Sequence, residues 1–421
     1  MSETNLFALS NVRILDPQNG VVSEKGVILI QDGLIKDYGS RGYVEIPNSA
    51  KIIECNGKTA MPGLIDAHLH ITGQRSGKIE EGLITPIGVF FARAVKDLES
   101  LIDAGFTTVV DAGSYIALHL RDAVKEKTIP GPRIVASGLP LSQTFGHADT
   151  HYMPVEYVDF RTSKKLSPFM SLICDGEDEC RKAARYAMRE GADFIKVMAT
   201  GGVLSQKDRP EHRQFTLEEL KAIVDEANAT GRWVHAHAQG KVGIMNSLNA
   251  GVKVIAHAIY MDEEASELAK EKDAVVVPTL SIVQKLIDEG EKLGVPEWGL
   301  KKTAEVYNQH IEAVKTIHKQ GAKIATGTDF DGGVGKMGTN SMELKLLYEK
   351  VNMSPLEVIK AATVNAAEAA GLKGKVGEIK KGSFADIIVI DGDPLSNINL
   401  LTNTENVKLV IKEGEIYKNK L

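Results

Sequence analysis

Hydrophobic and polar residues follow two different patterns in different parts of this chain. Up to about residue 60, short apolar runs are separated by turns, and Asp32-Gly33 between two of these runs is a strong signal for a β-hairpin. From residue 64 onward, apolar strands alternate with helical segments, which indicates a parallel sheet. After about residue 373 the short strands return. They are predicted at 11–15, 26–31, 34–37 and 51–55 and again at 385–390, 407–412 and 416–417.

The middle of the chain predicts eight strands, which is the number in a (β/α)8 TIM barrel. Two of the intervening helices begin at capping boxes, one from Thr216 to Glu219 and one from Ser354 to Glu357. The second box also has Pro355 at the first helical position. The eight strands are predicted at 64–70, 107–112, 133–137, 194–199, 233–238, 254–258, 274–280 and 323–329.

The fold class is therefore α/β, with a barrel inserted into a second, smaller domain. The terminal strands are too few at either end to fold alone, so we expect residues 1–62 and 374–421 to build one small β-sandwich. Residues 63–373 then form the TIM barrel. Long connections at 71–85, 139–174 and 281–299 follow predicted strands, and such loops build the binding site at the carboxyl face of a barrel.

Composition narrows the range of partners. The 421 residues are 43% hydrophobic and 25% charged with a net charge of −6, and no basic stripe suggests nucleic acid or an anionic membrane. Cys55, Cys174 and Cys180 lack the spacing of a disulfide framework or a thiolate zinc site, which favours reduced thiols and a cytoplasmic location. The polar residues 1–5 and the absence of a long apolar run argue against secretion and membrane spanning.

Candidate chemistry begins at Asp66-Ala67-His68-Leu69-His70, at the end of the first barrel strand. Because side chains alternate along a strand, His68 and His70 point to the same side. Alone, such a pair is as typical of surface or core histidines as of metal ligands. The other strands carry comparable residues near their carboxyl ends, and their shared rim favours a metal site: Lys196, His237, His257 and Asp329.

Lys196 needs a separate explanation, because a buried ammonium repels cations and is costly to desolvate. Burial lowers the pKa of a lysine, and the neutral amine can add carbon dioxide to form a carbamate that bridges two metal ions. The alternative is a lysine whose stem lines the core and whose ammonium reaches the rim. The surrounding candidate ligands favour the carbamate.

Taken together, these residues resemble the amidohydrolase superfamily, in the branch of Xaa-Pro and Xaa-Arg dipeptidases and ochratoxinase-like amidases. The resemblance covers nearly the whole chain. The matching pieces are Met61-Pro62-Gly63-Leu64-Ile65-Asp66-Ala67-His68-Leu69-His70, the segment from Lys196 to Gly202, Ala236-His237-Ala238, Ala256-His257-Ala258, Gly327-Thr328-Asp329 and Gly382-Ser383-Phe384-Ala385-Asp386.

The resemblance implies two zinc ions and a hydrolytic mechanism. One zinc is expected on His68, His70 and Asp329 and the other on His237 and His257, with carboxylated Lys196 between them. Manganese, cobalt or iron can replace zinc on such ligands. The hypothesis is that a water between the ions attacks an amide carbonyl as hydroxide, while Asp329 takes its proton and passes it to the departing amine.

Two sequence positions near the fifth strand require a choice. His235 and His237 share a strand face, and His237 is preferred as the ligand because it lies nearer the carboxyl end, which leaves His235 in the barrel core. Relatives carry His or Tyr two residues after this ligand, whereas this chain has Gln239. That departure affects the expected substrate contact rather than metal binding.

Loop residues supply further substrate-contact candidates. His147, in Gly146-His147-Ala148-Asp149, is expected to bind a substrate carbonyl or carboxylate, the alternative being a loop histidine that packs on Asp149. Gly202 offers backbone that a ligand can approach closely, or a simple turn. The remaining histidines are assigned to the surface: His119, His151, His212, His310 and His318.

The leading hypothesis is a binuclear zinc amidohydrolase that acts on a dipeptide or an N-acyl amino acid. One alternative is an imidazolonepropionase-like cyclic amide hydrolase or a deaminase, but those relatives use one metal and lack the lysine of the fourth strand. An alternative of another class is a catalytically inactive scaffold, which would have lost ligands. The partners implied are a small-molecule substrate and, from the habit of the family, further copies of the chain in a homo-oligomer.

Overall fold

The protein is described here by a computed structural model, in which residues 6–421 are defined except 79 and 164. The expectation for the polar residues 1–5 lies outside the described residues. The strands are β1 Leu6–Asp16, β2 Gly20–Gln31, β3 Leu34–Ser40, β4 Lys51–Glu54, β5 Thr59–Pro62, β6 Leu64–Leu69, β7 Phe106–Asp111, β8 Arg133–Ala136, β9 Leu141–Ser142, β10 Leu172–Ile173, β11 Ile195–Met198, β12 Val234–Ala238, β13 Val254–His257, β14 Val275–Val277, β15 Lys323–Ile324, β16 Ile387–Ile390, β17 Val407–Lys412 and β18 Glu415–Asn419.

Helices occupy the connections between the parallel strands. They are α1 Glu81–Ile84, α2 Ile87–Asp103, α3 Tyr115–Lys125, α4 Gly176–Arg189, α5 Leu217–Asn228, α6 Lys241–Ala250, α7 Glu263–Glu271, α8 Leu280–Leu293, α9 Glu297–Gln320, α10 Met342–Val351, α11 Pro355–Lys360 and α12 Ala366–Ala369. Both predicted capping boxes are present, at Thr216 with Glu219 and at Ser354 with Glu357. Within the described residues, no helix combines the length and hydropathy needed to cross a membrane.

Strands from both ends of the chain pair in one sheet. Its order is β18-β17-β16-β5-β1-β2-β3, with β4 alongside β1, so β5 of the first segment is bonded to β16 of the last. The predicted hairpin is confirmed, because Gln31 pairs with Leu34 around a tight turn. Asp32 and Gly33 both have positive φ, at 51° and 83°, as that turn requires.

The middle segment forms two parallel sheets that are joined by main-chain hydrogen bonds. One sheet has the order β10-β9-β11-β12-β13-β14-β15 and the other the order β6-β7-β8. On one side, the amide of Ala67 donates to the carbonyl of Thr326 at 2.8 Å. On the other side, the amide of Asp193 donates to the carbonyl of Ala136 at 2.8 Å. The parallel strands therefore place their carboxyl ends around one rim, as the alternating pattern predicts.

The structure corrects two predicted elements near that rim. The seventh strand is confined to Val275–Val277, and the helix Leu280–Leu293 occupies most of the segment 281–299 that was expected to be a loop. Pro278 and Thr279 interrupt the apolar residues of the predicted strand, and the chain turns there with a φ of 56° at Thr279. The eighth strand is also shorter than predicted, at Lys323–Ile324.

The buried carboxylate of Asp66 connects strand β6 to the segment that follows strand β15. Asp66 accepts hydrogen bonds from Thr328 Oγ1 at 2.7 Å and from Asn340 Nδ2 at 2.7 Å. Burial raises its pKa to about 6, although these bonds oppose the shift. The amide of Asp329 in turn donates to the carbonyl of His68 at 2.6 Å. The two rim segments that carry these residues are thus fixed to each other.

An ion-pair cluster fastens the terminal sheet to the parallel strands. Arg133, at the start of β8, contacts Asp386 before β16 and Glu413 after β17. The Arg133 and Asp386 side chains are 14% and 2% exposed, so water screens their attraction weakly. The amide of Glu413 also donates to Asp386 Oδ1 at 2.8 Å. Each charge therefore depends on the other remaining in place.

We predict that Asp386→Asn lowers the free energy of unfolding by about 3 kcal/mol, because it leaves the Arg133 guanidinium buried without its main counterion. The measurement is urea unfolding followed by circular dichroism. The control is Lys96→Ala, which breaks a pair with Glu99 whose side chains are 73% and 37% exposed and should cost less than about 1 kcal/mol. Equal losses in the two variants would contradict the prediction.

Candidate metal centre and active site

A cavity of about 70 Å³ lies at the carboxyl ends of the parallel strands. All six side chains predicted as metal ligands line it, although they come from strands far apart in sequence. His68 lies in β6 with His70 directly after it, His257 ends β13, and Asp329 follows β15. The six are His68, His70, Lys196, His237, His257 and Asp329.

Asp329 is the anionic centre of this cavity. Its Oδ1 lies 3.0 Å from His70 Nε2 and 3.4 Å from His68 Nε2, and its Oδ2 lies 3.9 Å from His257 Nδ1. Burial alone would raise the pKa of this carboxyl, but the two nearby histidines hold it well below its ordinary range. One ligand atom from each of His68, His257 and Asp329 falls within 4.8 Å of the others.

Two histidines have one ring nitrogen fixed by the protein and the other left for the cavity. His257 Nδ1 is 2.8 Å from Thr279 Oγ1, which leaves Nε2. His237 Nε2 donates to the carbonyl of Gly201 at 3.0 Å, which leaves Nδ1. Histidines that bind metals show this arrangement, since the outer partner sets both the tautomer and the ring orientation.

His68 is held in the same way by a second histidine. Its Nδ1 lies 3.0 Å from His235 Nε2, and its Nε2 faces Asp329 and Lys196. His235 is fully buried, as expected for the deeper of the two fifth-strand histidines. It therefore supports His68 from below instead of lining the cavity.

Most of these imidazoles are neutral. Burial lowers the pKa of His68 to about 3 and lowers the pKa values of His237 and His257 well below the ordinary value. His70 differs, because although burial lowers its pKa, the adjoining Asp329 carboxylate raises it overall. A neutral imidazole has the free lone pair that a metal ligand needs.

Lys196 lies among these rings without a carboxylate partner. It is 1% exposed, and its Nζ is 3.4 Å from His68 Nε2. Across the described residues, no Asp or Glu oxygen approaches that Nζ within 4.0 Å. Burial lowers its pKa to about 7, so much of the amine is uncharged at neutral pH. The uncharged amine is the form that can add carbon dioxide.

The residues present fit a transition-metal centre. Imidazole nitrogens with a carboxylate suit zinc and its neighbours among the divalent metals, whereas calcium and magnesium take oxygen ligands. The buried Nδ1 of His70 has no partner in the part of the chain that is described, which leaves this ring free to adjust to an ion. The donor set therefore suits a divalent transition metal.

Two of the three predicted substrate-contact residues, His147 and Gln239, line the cavity, whereas Gly202 lies behind His147 and lines neither the cavity nor the outer cleft. His147 stacks on His237, with ring centroids 4.1 Å apart and an 18° angle between the planes. Gly202 allows this stacking, because a Cβ there would lie 2.3 Å from His147 Cε1. Gln239 is buried beside them, and its Oε1 has no partner among the described residues. Asp149, the alternative partner of His147, instead accepts a hydrogen bond from the Phe145 amide.

A larger cleft of about 270 Å³ opens beside the metal cavity and leads outward from it. The two spaces share His70, His147 and Asp329. The cleft walls are mostly apolar or aromatic and come from the segments that follow the first, third and seventh predicted strands, including helix α8. Examples are Tyr152, Phe169, Met170, Ile282 and Val295. A substrate can therefore reach the candidate ligands from this side.

Some residues that shape the site were missed or misplaced by the sequence analysis. Thr279 was assigned to a strand, and His310 was assigned to the surface, but His310 is fully buried and its Nε2 lies 2.8 Å from the carbonyl of His257. Asp111 holds the Ile71 amide at 2.6 Å beside His70. Its position at the end of the second predicted strand is the signal that could have found it.

Comparisons with known proteins agree with this geometry. Residues 59–417 match the model of the amidohydrolase family. Ochratoxinase from Aspergillus niger is 35% identical over 420 aligned positions, covering 96% of this chain and 85% of that protein. Its crystal structure superposes with a TM-score of 0.90, at 31% identity, over 99% of this chain and 96% of the other. A prolidase in complex with N-methylphosphonate-L-proline gives a TM-score of 0.90 at 33% identity, with 98% and 100% of the chains covered.

This chain belongs to the amidohydrolase family, so it is a hydrolase that acts on amide or peptide bonds. Within the family it falls in the branch that contains ochratoxinase and the Xaa-Pro dipeptidases, as the sequence motifs predict. A Xaa-Pro dipeptidase of this branch has been crystallised with methionine in its active site. Its structure superposes with a TM-score of 0.87 at 32% identity, over 98% of this chain and 100% of the other.

We predict that Thr279→Val weakens metal retention by about 10- to 100-fold, because it removes the hydroxyl that orients His257. The measurement is the metal content of each variant by mass spectrometry after dialysis against a graded series of chelator concentrations. Thr279→Ser keeps the hydroxyl and serves as the control. Equal retention by the Val and Ser variants would show that the hydroxyl does not support the ligand.

Proposed function

We propose that this protein is a binuclear zinc amidohydrolase that cleaves the amide bond of a dipeptide or an N-acyl amino acid. The observation that carries the proposal is the convergence of all six candidate ligands on one cavity. An inactive scaffold would not need to keep this set together. The neighbours named for ochratoxinase and prolidase activity support amide substrates that carry an amino acid.

The proposal includes the architecture around the site. Main-chain hydrogen bonds on both sides of the two parallel sheets support a closed (β/α)8 barrel over residues 63–373. The mixed terminal sheet supports one small β-domain formed by residues 1–62 and 374–421. In such a barrel the catalytic residues lie at the carboxyl ends of the strands.

We assign one zinc to His68, His70 and Asp329, the other to His237 and His257, and carboxylated Lys196 to both. Zinc, when bound, supplies Lewis acidity, which acidifies water to near neutral pH and polarises a carbonyl oxygen. The ring nitrogens left free on His68, His237 and His257 support this assignment. A carbamate would replace the positive charge of Lys196 by a negative one.

Asp329 is the proposed proton carrier. Its low pKa leaves it ionised at neutral pH, so it can accept the proton of the attacking water. Its backbone amide is bonded to the carbonyl of His68, which keeps the carboxylate in place during the reaction. As the tetrahedral carbon intermediate collapses, Asp329 transfers that proton to the departing amine nitrogen. The products are a carboxylic acid and a free amine.

The test is release of free amino acids from a pooled library of dipeptides and N-acyl amino acids, followed by mass spectrometry with zinc and bicarbonate supplied. We predict turnover of a related subset and a loss of about 100-fold or more in kcat for Asp329→Asn, because the amide cannot carry the proton. Zinc retained in the variant separates this effect from metal loss.

The control for this variant is Asp225→Asn, since Asp225 is exposed and pairs with Arg181 away from both the cavity and the cleft. It should retain most of the activity. If zinc-loaded wild-type protein cleaves no member of the library, the proposed substrate class is wrong, and cyclic amides and esters are the substrates to test next. Near-normal kcat in Asp329→Asn would exclude this residue as the proton carrier.

We predict that protein equilibrated with 13C-bicarbonate gives a carbamate resonance in 13C NMR that Lys196→Met abolishes. The reason is that Lys196 combines a lowered pKa with a lack of carboxylate partners. The control is Lys302→Met, because Lys302 is also buried but its ammonium donates to three main-chain carbonyls. Survival of the resonance in Lys196→Met would place the carbamate elsewhere.

A further inference from the structure

Glu343 is a buried carboxylate that the proposed mechanism does not use. It lies in the first turn of helix α10, it is fully buried, and it lines neither the metal cavity nor the outer cleft. No lysine, arginine or histidine in the described part of the chain lies within salt-bridge distance of it. A carboxylate without a counterion is costly to bury, so the groups that donate hydrogen bonds to it indicate its role.

The donors to Glu343 all belong to the start of helix α8. Its Oε1 accepts from the amide of Leu280 at 3.0 Å, and its Oε2 accepts from the amide of Ser281 at 2.8 Å and from Ser281 Oγ at 2.6 Å. Burial raises the pKa of Glu343 to about 7, although these bonds oppose the shift. Amides in the first turn of a helix have no partner within the helix, and the helix dipole favours a negative charge there. Glu343 therefore caps α8 from a different helix.

Thr279 occupies the position from which helix α8 would ordinarily be capped. Threonine is a common residue at the N-cap, where its oxygen accepts a hydrogen bond from an amide of the first turn. Helices α5, α7 and α11 follow this rule, with caps at Thr216, Asp262 and Ser354. The Thr279 side chain does not cap α8, and its hydroxyl instead lies 2.8 Å from His257 Nδ1.

The backbone of Thr279 also differs from that of an ordinary N-cap. Its φ and ψ are 56° and 42°, in the left-handed region, whereas N-cap residues usually have extended backbone. A β-branched residue rarely adopts the left-handed region, so surrounding contacts must hold Thr279 there. The bonds from the Leu280 and Ser281 amides to Glu343 fix the two residues that directly follow it. Without these bonds, we expect Thr279 to relax to extended backbone and to use its hydroxyl to cap α8 itself.

We propose that Glu343 is a positioning residue of the metal centre: it caps helix α8 in place of Thr279 and so keeps the Thr279 hydroxyl on His257. The inference rests on the proposed function, because it takes His257 as a metal ligand, and it deepens that function by tracing the support of this ligand to helix α10. The same contacts fix the wall formed by Ile282 and Val283, the next residues of α8, which line the cavity.

The test compares metal retention in Glu343→Gln, Thr279→Val and the double variant, each prepared with zinc and dialysed against graded chelator on the alkaline side of neutral pH. Glutamine has nearly the shape of glutamate, but its amide nitrogen cannot accept a hydrogen bond from the backbone. We expect Glu343→Gln to weaken retention by about three- to tenfold, less than the loss of a direct partner of a ligand. The double variant should match Thr279→Val alone, because the hydroxyl through which Glu343 acts is already absent.

Losses that multiply in the double variant would overturn the proposal, since Glu343 would then act on the site independently of Thr279. Full retention in Glu343→Gln would overturn it as well. The control is Glu357→Gln, which alters the capping box of helix α11 away from the cavity and the cleft. It should lower stability without changing retention. An equal loss of retention in this control would reduce the role of Glu343 to the stability of the fold.

Visible absorption of the cobalt-loaded protein gives a second readout, because the spectrum depends on the geometry of the ligands around the ion. A role confined to the stability of the fold would leave it unchanged. Glu343→Gln and Thr279→Val should show the same altered spectrum, and Glu357→Gln should match the wild type. A wild-type spectrum in Glu343→Gln would contradict the proposal.

Ser281→Ala provides a milder variant in case circular dichroism shows that Glu343→Gln does not fold. It removes the hydroxyl bond to Glu343 and leaves both amide bonds in place. Its cobalt spectrum and its metal retention should change in the direction of Thr279→Val. If both measurements match the wild type, the proposal is wrong.

None of these measurements depends on turnover, so failure of this inference can be told apart from failure of the proposed function. If the zinc-loaded wild type cleaves no member of the library, the substrate class is wrong, and the retention and cobalt data still decide the role of Glu343. If the library is cleaved but the Glu343 variant binds metal like the wild type, only this inference is wrong. A wild-type protein that retains neither zinc nor cobalt would refute both.

Discussion

A lysine enclosed by histidine rings is the constraint on which the rest of the site depends. Charged Lys196 would have no carboxylate within salt-bridge distance among the described residues, and its ammonium would repel any cation in the same cavity. The structure relieves this by lowering the pKa of Lys196 through burial. Neutral imidazoles around it do not add to the repulsion. The surroundings therefore favour an uncharged side chain at Lys196 over a charged one.

The backbone reaches this arrangement by unusual conformations at the ends of the strands. His257, Thr279 and Asp329 all have positive φ, between 56° and 69°, although none is glycine. Side chains other than glycine rarely adopt this region, and its cost must be met by the surrounding contacts. Here those contacts include the His257–Thr279 hydrogen bond and the bond from the Asp329 amide to His68. The strained backbone conformations are therefore linked to the orientation of the candidate ligand side chains.

Much of this organisation follows from the sequence, and the exceptions have physical causes. Alternating apolar strands and helices, the capping boxes and Asp32-Gly33 are local signals, so the elements that they predict are present. The predicted length of the seventh strand was wrong because the prediction continued the strand through Pro278 and Thr279, where the chain turns into helix α8. His310 was wrongly assigned to the surface because the group that it contacts in the interior, the carbonyl of His257, is far away in sequence. The hydrogen bonds from His147 to Ser205 and Gln214 likewise join residues about 60 positions apart, which no short motif encodes.

The terminal sheet has a consequence for biosynthesis. Strand β5 pairs with β1 on one side and with β16 on the other, and β16 leaves the ribosome only after nearly all of the parallel domain has been made. Until then the β5 edge has unpaired amide and carbonyl groups that can pair with other chains. The terminal sheet can therefore be completed only after the last segment has been synthesised, which makes its assembly depend on pairing between strands that are far apart in sequence.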